Sequence, residues 1–292
     1  MRTISVINLK GGVGKTTTVI NLAAILTGIG KSVLAIDADP QANLTEFCGF
    51  RDPDKTLDNT LAELLTPTAE GRSDYAEDYV RPTLLTGLDL VPASINLINA
   101  DIAALKRGGN VNAIRDLLDN LNEDAWIEGG VPEDFAGAYD YVLIDCPPSF
   151  TAASVAAIYA SDDVIIPVEA DLFSIIGLTS LIAQINSVRR IQPRVRVAGA
   201  LITKWHNTPA CVQGECALRA SAVPVFAQTI RRSDKVTESI FARQSLQAYS
   251  PQSAAGRDYR AFVAEYLEGG EISGEEVRAR RHARRGAESV RA

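Results

Sequence analysis

A glycine-rich stretch near the start of the chain combines residue types that bind phosphate groups. It reads Lys10-Gly11-Gly12-Val13-Gly14-Lys15-Thr16-Thr17. Glycines adopt backbone angles that are closed to other residues and let N–H groups approach an anion, and a helix that follows presents its positive N-terminal end. In such a loop we expect Lys15 to hold the β- and γ-phosphates of a nucleotide and Thr16 to ligate Mg²⁺.

The segments on either side of this loop predict a strand before it and a helix after it. Residues 4–7 are apolar and largely β-branched, and apolar residues recur at helical spacing over residues 16–26. A phosphate-binding loop requires this order of strand, glycine-rich turn and helix. The general pattern has a glycine where Leu9 stands, with Lys10 beside it. The loop is therefore a variant, and this combination disfavours an ordinary flexible turn.

Two acidic motifs follow predicted strands and could complete the site. A short apolar strand over residues 32–36 ends in Asp37-Ala38-Asp39-Pro40-Gln41, and open α/β sheets place their ligands at such carboxyl ends. Asp37 also fits a helix N-cap or turn residue, so Asp39 is the stronger functional candidate. Four apolar residues precede Asp145. A buried parallel strand that ends in an acid delivers a carboxylate to the magnesium side of a phosphate loop.

Helix and strand patterns alternate along the rest of the chain. Helices are predicted over residues 56–65, 95–106, 111–121, 175–191, 211–220 and 256–267. Strands are predicted over residues 163–168, 195–203 and 223–230, and two more lie within residues 79–92 as a small hairpin or edge addition. Continuous apolar runs indicate an α/β fold with a mostly parallel, twisted sheet covered by helices on both faces. We predict one domain over residues 1–268 with a mobile insertion over residues 51–75, followed by an arginine-rich tail over residues 269–292.

Length, composition and charge limit the classes of protein to consider. The chain has 292 residues, of which 46% are hydrophobic, enough for a large core. No run of eighteen apolar residues is present and the N-terminus opens with a strand, so we expect a cytosolic protein without a membrane span or secretory signal. The net charge of −7 argues against a protein coated in nucleic acid, although a local basic patch remains compatible with it.

The four cysteines are too few for a disulfide scaffold in a chain of this size, and we expect them to be reduced. Cys211 and Cys216, with His206 nearby, could supply zinc ligands, but a fourth ligand is not evident and free thiols are favoured. The tail lacks an apolar face that could insert into lipid. It is expected to be a solvated helix or tail that could attract nucleic acid.

Taken together, these motifs resemble the ParA family of deviant-Walker P-loop ATPases, which partition plasmids and chromosomes and position large cargoes. The match follows the order and spacing of the Lys10–Thr17 loop, the Asp37–Gln41 motif and the run Asp145-Cys146-Pro147-Pro148, with Ile165-Ile166-Pro167-Val168 after it. It covers roughly residues 1–268. The chain lacks an N-terminal helix-turn-helix domain and resembles the short, Soj-like type, so operator-specific repression is not expected.

The resemblance implies a role for each matching residue, with ATP and Mg²⁺ as cofactors. Lys10 would be the signature lysine, reaching across a dimer interface to the nucleotide of the partner subunit. Thr17 would bind the α-phosphate, Asp39 would position or activate the attacking water, and Asp145 would hold Mg²⁺ through water. The loop residues Gly11, Gly12, Val13, Gly14, Lys15 and Thr16 would bind the phosphates, and Ile230 and Arg231 would lie at the adenine. Arg231 replaces a usual proline, and residues 204–207 lack an aspartate that relatives often have.

The resemblance also implies an ATP-dependent homodimer that binds double-stranded DNA nonspecifically. Hydrolysis would be slow and stimulated by a ParB-like or small adaptor protein, and the protein would be associated with the nucleoid. Candidate DNA contacts are Lys235, Arg232, Arg219 and Arg243, each of which could equally be an ordinary solvated basic residue. No membrane partner is expected.

Four alternatives remain open from the sequence. The same ATPase mechanism could position a protein cargo, such as a carboxysome, a chemoreceptor cluster or a division regulator, because a partner adaptor chooses the cargo. A MinD-like membrane switch would need an apolar C-terminal stripe, which the tail lacks. A redox ATPase would need cluster cysteines between two subunits, whereas Cys146 fits a buried residue better. A plain binding module without hydrolysis is disfavoured by Asp39.

Overall fold

A seven-stranded sheet forms the centre of the computed structural model, which describes residues 1–66, 73–107, 109–127 and 139–269. The strands are Arg2–Val6 (β1), Val33–Asp37 (β2), Arg81–Pro82 (β3), Leu88–Val91 (β4), Tyr141–Asp145 (β5), Asp163–Glu169 (β6) and Arg196–Thr203 (β7). Their order in the sheet is β3-β4-β2-β5-β1-β6-β7, and the short edge strand β3 pairs antiparallel while the others are parallel.

Twelve α-helices lie within the described residues. They are Lys15–Gly28 (α1), Asn43–Phe47 (α2), Pro53–Thr56 (α3), Leu61–Leu65 (α4), Leu97–Arg107 (α5), Ala113–Ile127 (α6), Ala152–Ala160 (α7), Leu172–Arg189 (α8), Pro209–Ala220 (α9), Asp234–Phe241 (α10), Leu246–Tyr249 (α11) and Ala254–Leu267 (α12). A 3₁₀ turn spans Ala76–Tyr79. The predicted α/β fold class is confirmed.

The central strands are buried on both faces, which explains their continuous apolar sequences. In β2, Leu34 and Ile36 belong to the core beneath α4 to α8, whereas Val33 and Ala35 belong to the core beneath α1 and α12. Successive side chains of a strand point to opposite faces, so one short apolar run supplies both cores. This arrangement leaves the carboxyl ends of the strands as the place for polar chemistry.

The register of the central strands brings three loops together at one edge of the sheet. Val6 of β1 pairs with Asp145 of β5, and Asp145 pairs with Asp37 of β2. On its other side β1 pairs with β6. Strands β2 to β5 therefore lie on one side of β1, and β6 and β7 lie on the other. Ligands of open α/β sheets bind at such a switch point.

Residues 223–230 do not form the predicted strand. Ala200 N donates to Pro224 O and Ile230 N to Ile202 O, so the segment runs beside β7. The ladder breaks between these bonds because the N–H groups of Ala227 and Gln228 donate to the carboxylate of Glu265 on α12. The prediction was wrong because a side chain distant in sequence takes the donors that a strand would need.

Two further expectations concern segments that the structure describes only in part. Leu61, Leu64 and Leu65 of α4 are buried in the core, and a capping box of Thr60 and Glu63 begins this helix. This buried helix lies within residues 51–75, the expected mobile insertion; the mobility of that segment stays a prediction, and its residues 67–72 lie outside the described residues. Nearly all of the arginine-rich tail, residues 270–292, also lies outside them.

Helix α8 is the one helix of the described residues that is long and apolar enough to cross a membrane. Leu178, Leu181 and Ile185 on one of its faces are buried in the core. It connects β6 to β7, which are parallel neighbours. The burial and the connection describe a crossover helix that packs on the sheet.

A buried acid, Asp163, joins β1, β6, β7 and α12 at the edge of the sheet opposite the ligand edge. Asp163 accepts hydrogen bonds from Arg2 Nε at 2.7 Å, Arg196 Nε at 2.8 Å and the Tyr266 hydroxyl at 2.6 Å. Burial acts to raise the pKa of Asp163, but these bonds outweigh it and hold the pKa below its ordinary value. The folded state is therefore stabilised above the unfolded pKa of about 4, and this contribution is lost as the pH falls through the folded pKa.

We expect Asp163→Asn to lower the free energy of unfolding by about 2–3 kcal/mol at pH 7, because charge-assisted hydrogen bonds are lost. The difference from the wild type should shrink below about pH 4. Urea denaturation at pH 7 and pH 3 measures both values. The control is Asp119→Asn, which removes a surface ion pair with Arg115 and should cost less than about 0.5 kcal/mol. Equal losses in the two variants at pH 7 would contradict the assignment.

Candidate functional site

The loop between β1 and α1 has the backbone of a phosphate cradle. Gly12 and Gly14 have φ angles of +74° and +91°, in the region that other residues rarely adopt, and a Cβ added at either would meet no atom within 4 Å. The space above these glycines is therefore open for an anion. Gly14 is the N-cap of α1 and brings no capping side chain, so the first N–H groups of α1 remain available to phosphate oxygens.

Buried side chains from other elements hold the loop in place. Asn8 Nδ2 donates to Pro167 O at 2.7 Å, and Asn8 Oδ1 accepts from Lys10 N at 3.0 Å. On the far side, the Thr203 hydroxyl donates to Val13 O at 2.8 Å. The ends of β6 and β7 thus fix both halves of the loop, which pre-organises its N–H groups.

Lys15 points into the site from the first turn of α1. Its side chain is buried, and Nζ donates to Lys10 O at 3.4 Å. Burial lowers the pKa of Lys15, and the nearby carboxylates of Asp145 and Asp39 act in the opposite direction. A buried ammonium beside two carboxylates is well placed to bind the phosphates of a nucleotide, and this role of Lys15 stays a prediction.

The Thr16 hydroxyl and the Asp145 carboxylate form the pair expected for Mg²⁺. Thr16 Oγ1 donates to Asp145 Oδ2 at 2.6 Å. Burial raises the pKa of Asp145 well above its ordinary value, and the charge of Asp37 adds to the effect. Asp145 Oδ1 is buried and has no hydrogen-bond partner among the described residues. A cation next to Asp145 Oδ1 would give this oxygen a partner and would counteract the rise in the pKa of Asp145. The residues therefore fit a magnesium ion.

No group of three or more His, Cys, Asp or Glu in the described part of the chain is arranged to hold a metal by itself. This finding suits Mg²⁺, which binds through one or two protein oxygens together with phosphates and water. It disfavours the zinc alternative at Cys211, Cys216 and His206. All four cysteines are free, and Cys146 is buried, as the sequence indicated.

The two acids of the 37–41 motif, Asp37 and Asp39, differ in burial and in hydrogen-bond partners. Asp37 is fully buried and accepts hydrogen bonds from Thr45 N, Thr45 Oγ1 and Asp39 N at 2.8, 2.7 and 3.1 Å. Burial raises the pKa of Asp37 to about 6. Asp37 therefore shapes the turn, as its alternative interpretation proposed. Asp39 is buried less completely, and Oδ1 accepts from Gln41 N at 2.9 Å; its role in orienting a water molecule stays a prediction.

A cavity of about 630 Å³ opens beside the phosphate loop. Gly12, Gly14 and Thr17 line one end of it, and Ile230 and Arg231 lie among its other lining residues. Trp205 N donates to Ile230 O at 2.9 Å, so the residues after β7 and the 230–232 segment form one wall. The size and lining suit a nucleotide, with Ile230 and Arg231 at the predicted base end. The Arg231 guanidinium forms a two-bond ion pair with Asp258, with both distances 2.8 Å.

Lys10 lies beside the loop, but its side chain turns away from the position of Lys15. Its ammonium Nζ is 2.7 Å from Asp171 Oδ2 and 3.4 Å from Glu169 Oε2. About 39% of the Lys10 side chain is exposed, in contrast to buried Lys15. The two lysines of one loop thus occupy different environments, one inside the site and one at its outer rim.

The predicted DNA contacts separate into two groups. Arg232, Lys235 and Arg243 are exposed residues that precede, begin and follow α10, and Lys235 Nζ lies 2.6 Å from Glu238 Oε2. Arg219 is different, because it is paired with Glu215 at 2.9 Å and donates to the carbonyl oxygens of Phe226 and Ala227. Its guanidinium is engaged by groups of its own chain and its side chain is only 15% exposed, so Arg219 is the least accessible of the four candidates.

Helix α1 connects the phosphate loop to the C-terminal helices. The buried Asn21 amide donates to Thr17 O at 2.8 Å and accepts from Leu246 N, at the start of α11, at 2.9 Å. The hydroxyls of Thr18 and Tyr259 on α12 lie 3.2 Å apart. The first turns of α1 therefore share buried hydrogen bonds with α11 and α12, which follow α10 in the chain.

Comparison with known proteins agrees with this geometry. The family model described as an AAA domain matches residues 1–197. The chain is 33% identical over 270 residues to the chromosome-partitioning ATPase Soj of Thermus thermophilus, covering 91% of this chain and 96% of that protein. The chain belongs to the ParA/Soj family of P-loop ATPases. The chromosome partitioning protein ParA of Caulobacter vibrioides is 35% identical, over 91% of this chain and 94% of its own length.

A solved structure shows how widely this ParA/Soj architecture is shared. The cobyrinic acid a,c-diamide synthase of Mycobacterium smegmatis, with bound ATP analogue and magnesium, superposes with a TM-score of 0.73 and 29% identity. The match covers 93% of this chain and 97% of that one. The ligands of that protein agree with the expected cofactors. Its named reaction is not carried over, because one fold hosts many functions.

Several residues of the ParA/Soj site were not predicted from the sequence. Asn8 and Thr203 hold the loop, Asp258 pairs with Arg231, and Glu169 and Asp171 bind Lys10. Asn8 directly follows the predicted strand and Thr203 ends another, so their positions at strand ends were a usable signal. The partners of Lys10 and Arg231 carried no such signal, because polar residues after a strand or on a helix have many ordinary roles.

Proposed function

We propose that this ParA-family chain is an ATPase that dimerises around two ATP molecules with Mg²⁺, binds DNA nonspecifically in that state, and releases it after hydrolysis. A ParB-like or small adaptor partner would stimulate slow hydrolysis, and repeated cycles would move the partner's cargo over the nucleoid. The observation that carries the proposal is the different setting of the two loop lysines. Lys15 serves the chain's own phosphates from inside, while Lys10 lies at the rim, where a second nucleotide site can approach.

An exposed apolar surface beside Lys10 supports dimerisation. Leu172, Phe173 and Ile176, here called the α8 patch, are 67%, 79% and 59% exposed. Leu172 and Phe173 directly follow Asp171, the residue that Lys10 contacts, and Ile176 lies one helical turn further on. An aromatic and two aliphatic side chains at this exposure are typical of a protein interface.

The basic residues around α10 support DNA binding in the dimer. Arg232, Lys235 and Arg243 are exposed on one short stretch of a chain whose net charge is −7. Contacts of Lys and Arg with phosphates give sequence-independent, salt-sensitive affinity. A single such patch would be weak in the monomer, and two patches held in one dimer bind much more tightly. The nucleotide state would therefore control the affinity for DNA.

The relatives favour a chromosome or plasmid as the cargo. Soj and ParA carry partitioning in their names, and their similarity extends over nine-tenths of the chain. Positioning of a protein cargo by the same cycle remains the second interpretation, since an adaptor would choose the cargo. Identification of the adjacent gene, as a ParB-like protein or as a small adaptor, separates the two.

The α8 patch gives a direct test of dimerisation. Wild-type protein with MgATP should form dimers that retard random-sequence DNA in a gel shift, and with MgADP it should remain monomeric. Phe173→Glu should weaken the ATP dimer by about 30-fold or more, because it removes an aromatic anchor and buries a charge. Light scattering after size exclusion measures the mass.

The control is Leu84→Glu, which places the same charge on another side chain, 91% exposed, next to the opposite edge strand. It should dimerise as the wild type does. Wild-type protein that stays monomeric with MgATP, or that binds DNA equally with ATP and ADP, would refute the proposed cycle.

A further inference from the structure

The ammonium group of Lys10 is held by three side chains of its own chain. Nζ lies 2.7 Å from Asp171 Oδ2, 3.3 Å from Ser174 Oγ and 3.4 Å from Glu169 Oε2. Glu169 ends β6, and Asp171 and Ser174 begin α8, so the turn between them surrounds the amine. A second lysine, Lys204, lies 2.8 Å from Glu169 Oε1. The Lys10 ammonium group is therefore already bound by side chains of its own chain in the monomer.

The two carboxylate oxygens of Asp171 accept hydrogen bonds from different atoms. Oδ1 accepts from Ser174 N at 2.9 Å and caps α8, while Oδ2 accepts from Lys10 and from the Ser174 hydroxyl at 2.9 Å. The turn is held firmly from behind, because Gly214 of α9 packs so closely that a Cβ there would strike the backbone of Ala170. Asp171 is thus fixed in place whether or not Lys10 is bound to it.

We propose that Asp171, assisted by Glu169, is a positioning residue that holds Lys10 within its own subunit in competition with the phosphates of a partner's nucleotide. This inference rests on the proposed function. Each subunit must exchange a contact between Lys10 and Asp171 for one between Lys10 and phosphate before the dimer forms. Asp171 therefore sets the ATP concentration at which two chains associate.

The charges and exposures of these side chains fit such an exchange. Glu169 and Asp171 both line the nucleotide cavity, so a bound nucleotide brings further negative charge close to them. Burial acts to lower the pKa of Lys10, but the two acids outweigh it and hold the pKa above its ordinary value, so the amine stays charged. The side chains of Lys10 and Asp171 are 39% and 37% exposed. An ion pair this accessible to water is weak enough to be exchanged.

Asp171→Asn tests the contact because asparagine caps helices as well as aspartate does but carries no charge. Without nucleotide, the Lys10 amine should react faster with an acylating reagent in this variant, as peptide mass spectrometry measures. With MgATP, half-maximal dimerisation should occur at an ATP concentration about threefold lower. Each subunit breaks one contact and binds one ATP, so the threshold falls by the factor that a single partly exposed ion pair contributes.

Two control variants separate positioning from other effects. Asp171→Glu restores the charge and should return Lys10 labelling and the ATP threshold towards the wild-type values. Asp119→Asn removes the surface pair with Arg115 on α6 and should change neither. In a Lys10→Ala background, Asp171→Asn measures the direct effect of the Asp171 charge on the affinity for a fluorescent ATP analogue. This effect should be smaller than the change in the ATP threshold, because Asp171 acts mainly through Lys10.

A higher ATP threshold in Asp171→Asn would overturn the inference, since Asp171 would then contribute to the dimer instead of opposing it. Unchanged labelling of Lys10 would overturn it as well. Failure of the wild type to dimerise would instead refute the proposed function and the ATP threshold with it. The labelling, which needs no dimer, would still decide whether Asp171 holds Lys10.

Discussion

Asp39→Ala is expected to reduce ATP turnover by about 10²- to 10⁴-fold, the usual contribution of a positioned acid or base, while ATP-dependent dimers persist. Asp39 Oδ1 is engaged by Gln41 N, and the carboxylate lies near enough to Lys15 to affect its pKa. The substitution removes the group proposed to orient water but none of the groups that hold phosphate. Phosphate release and light scattering with MgATP measure turnover and mass.

The control for this variant is Glu46→Ala, which removes an exposed acid from the neighbouring helix α2. It should hydrolyse ATP at the wild-type rate. Asp39→Ala should also keep DNA bound for longer in a gel shift, because the dimer does not hydrolyse the ATP that holds it in the DNA-binding state. Normal turnover in Asp39→Ala would refute the role of Asp39, and loss of the dimer would show that Asp39 holds the nucleotide.

Lys15→Ala is expected to abolish the response to ATP altogether. The Lys15 ammonium is buried at the phosphate end of the site, and its pKa is lowered by burial. Its removal leaves the phosphates without their buried cation, and we expect affinity for MgATP to fall by more than about 100-fold. DNA binding should then be the same with ATP, ADP or no nucleotide.

Thermal unfolding separates loss of binding from loss of folding. Wild-type protein should be stabilised by about 2.7 kcal/mol at a MgATP concentration 100 times its Kd. Lys15→Ala should unfold near the wild-type temperature without nucleotide, because alanine is a good helix residue, and should gain nothing from MgATP. Lys31→Ala, which breaks a surface pair with Asp140, should respond to MgATP as the wild type does. Stabilisation of Lys15→Ala by MgATP would contradict the assignment.

Local patterns were sufficient to predict the fold and the centre of the site. The phosphate loop, its strand and its helix occupy one continuous stretch, so spacing alone located Lys15 and Thr16. Asp145 was predictable because the carboxyl ends of parallel strands all lie at the ligand edge of the sheet. The same reasoning found the hairpin of β3 and β4 and the strand–helix units after residue 163.

Contacts between distant parts of the chain account for what the sequence did not reveal. The bond between Glu265 and residues 227–228 spans almost forty positions and breaks a predicted strand. The pairing of Lys10 with Asp171 spans 161 positions. Arg219 resembled a surface residue because its spacing on α9 gave no sign that Phe226 O would accept its hydrogen bond. Such partners are fixed by packing, which no local pattern encodes.

The family model matches only residues 1–197, but the contacts that hold the phosphate loop and line the cavity extend beyond residue 197. Thr203 fastens the phosphate loop, Tyr259 meets Thr18, and Leu246 N satisfies the buried Asn21 amide. A polypeptide cut at residue 197 would lose one wall of the cavity and strand a buried amide oxygen, so that boundary is no place to divide or fuse the chain. Residues 198–269 therefore complete the wall of the cavity and hold the phosphate loop and α1 from the C-terminal side.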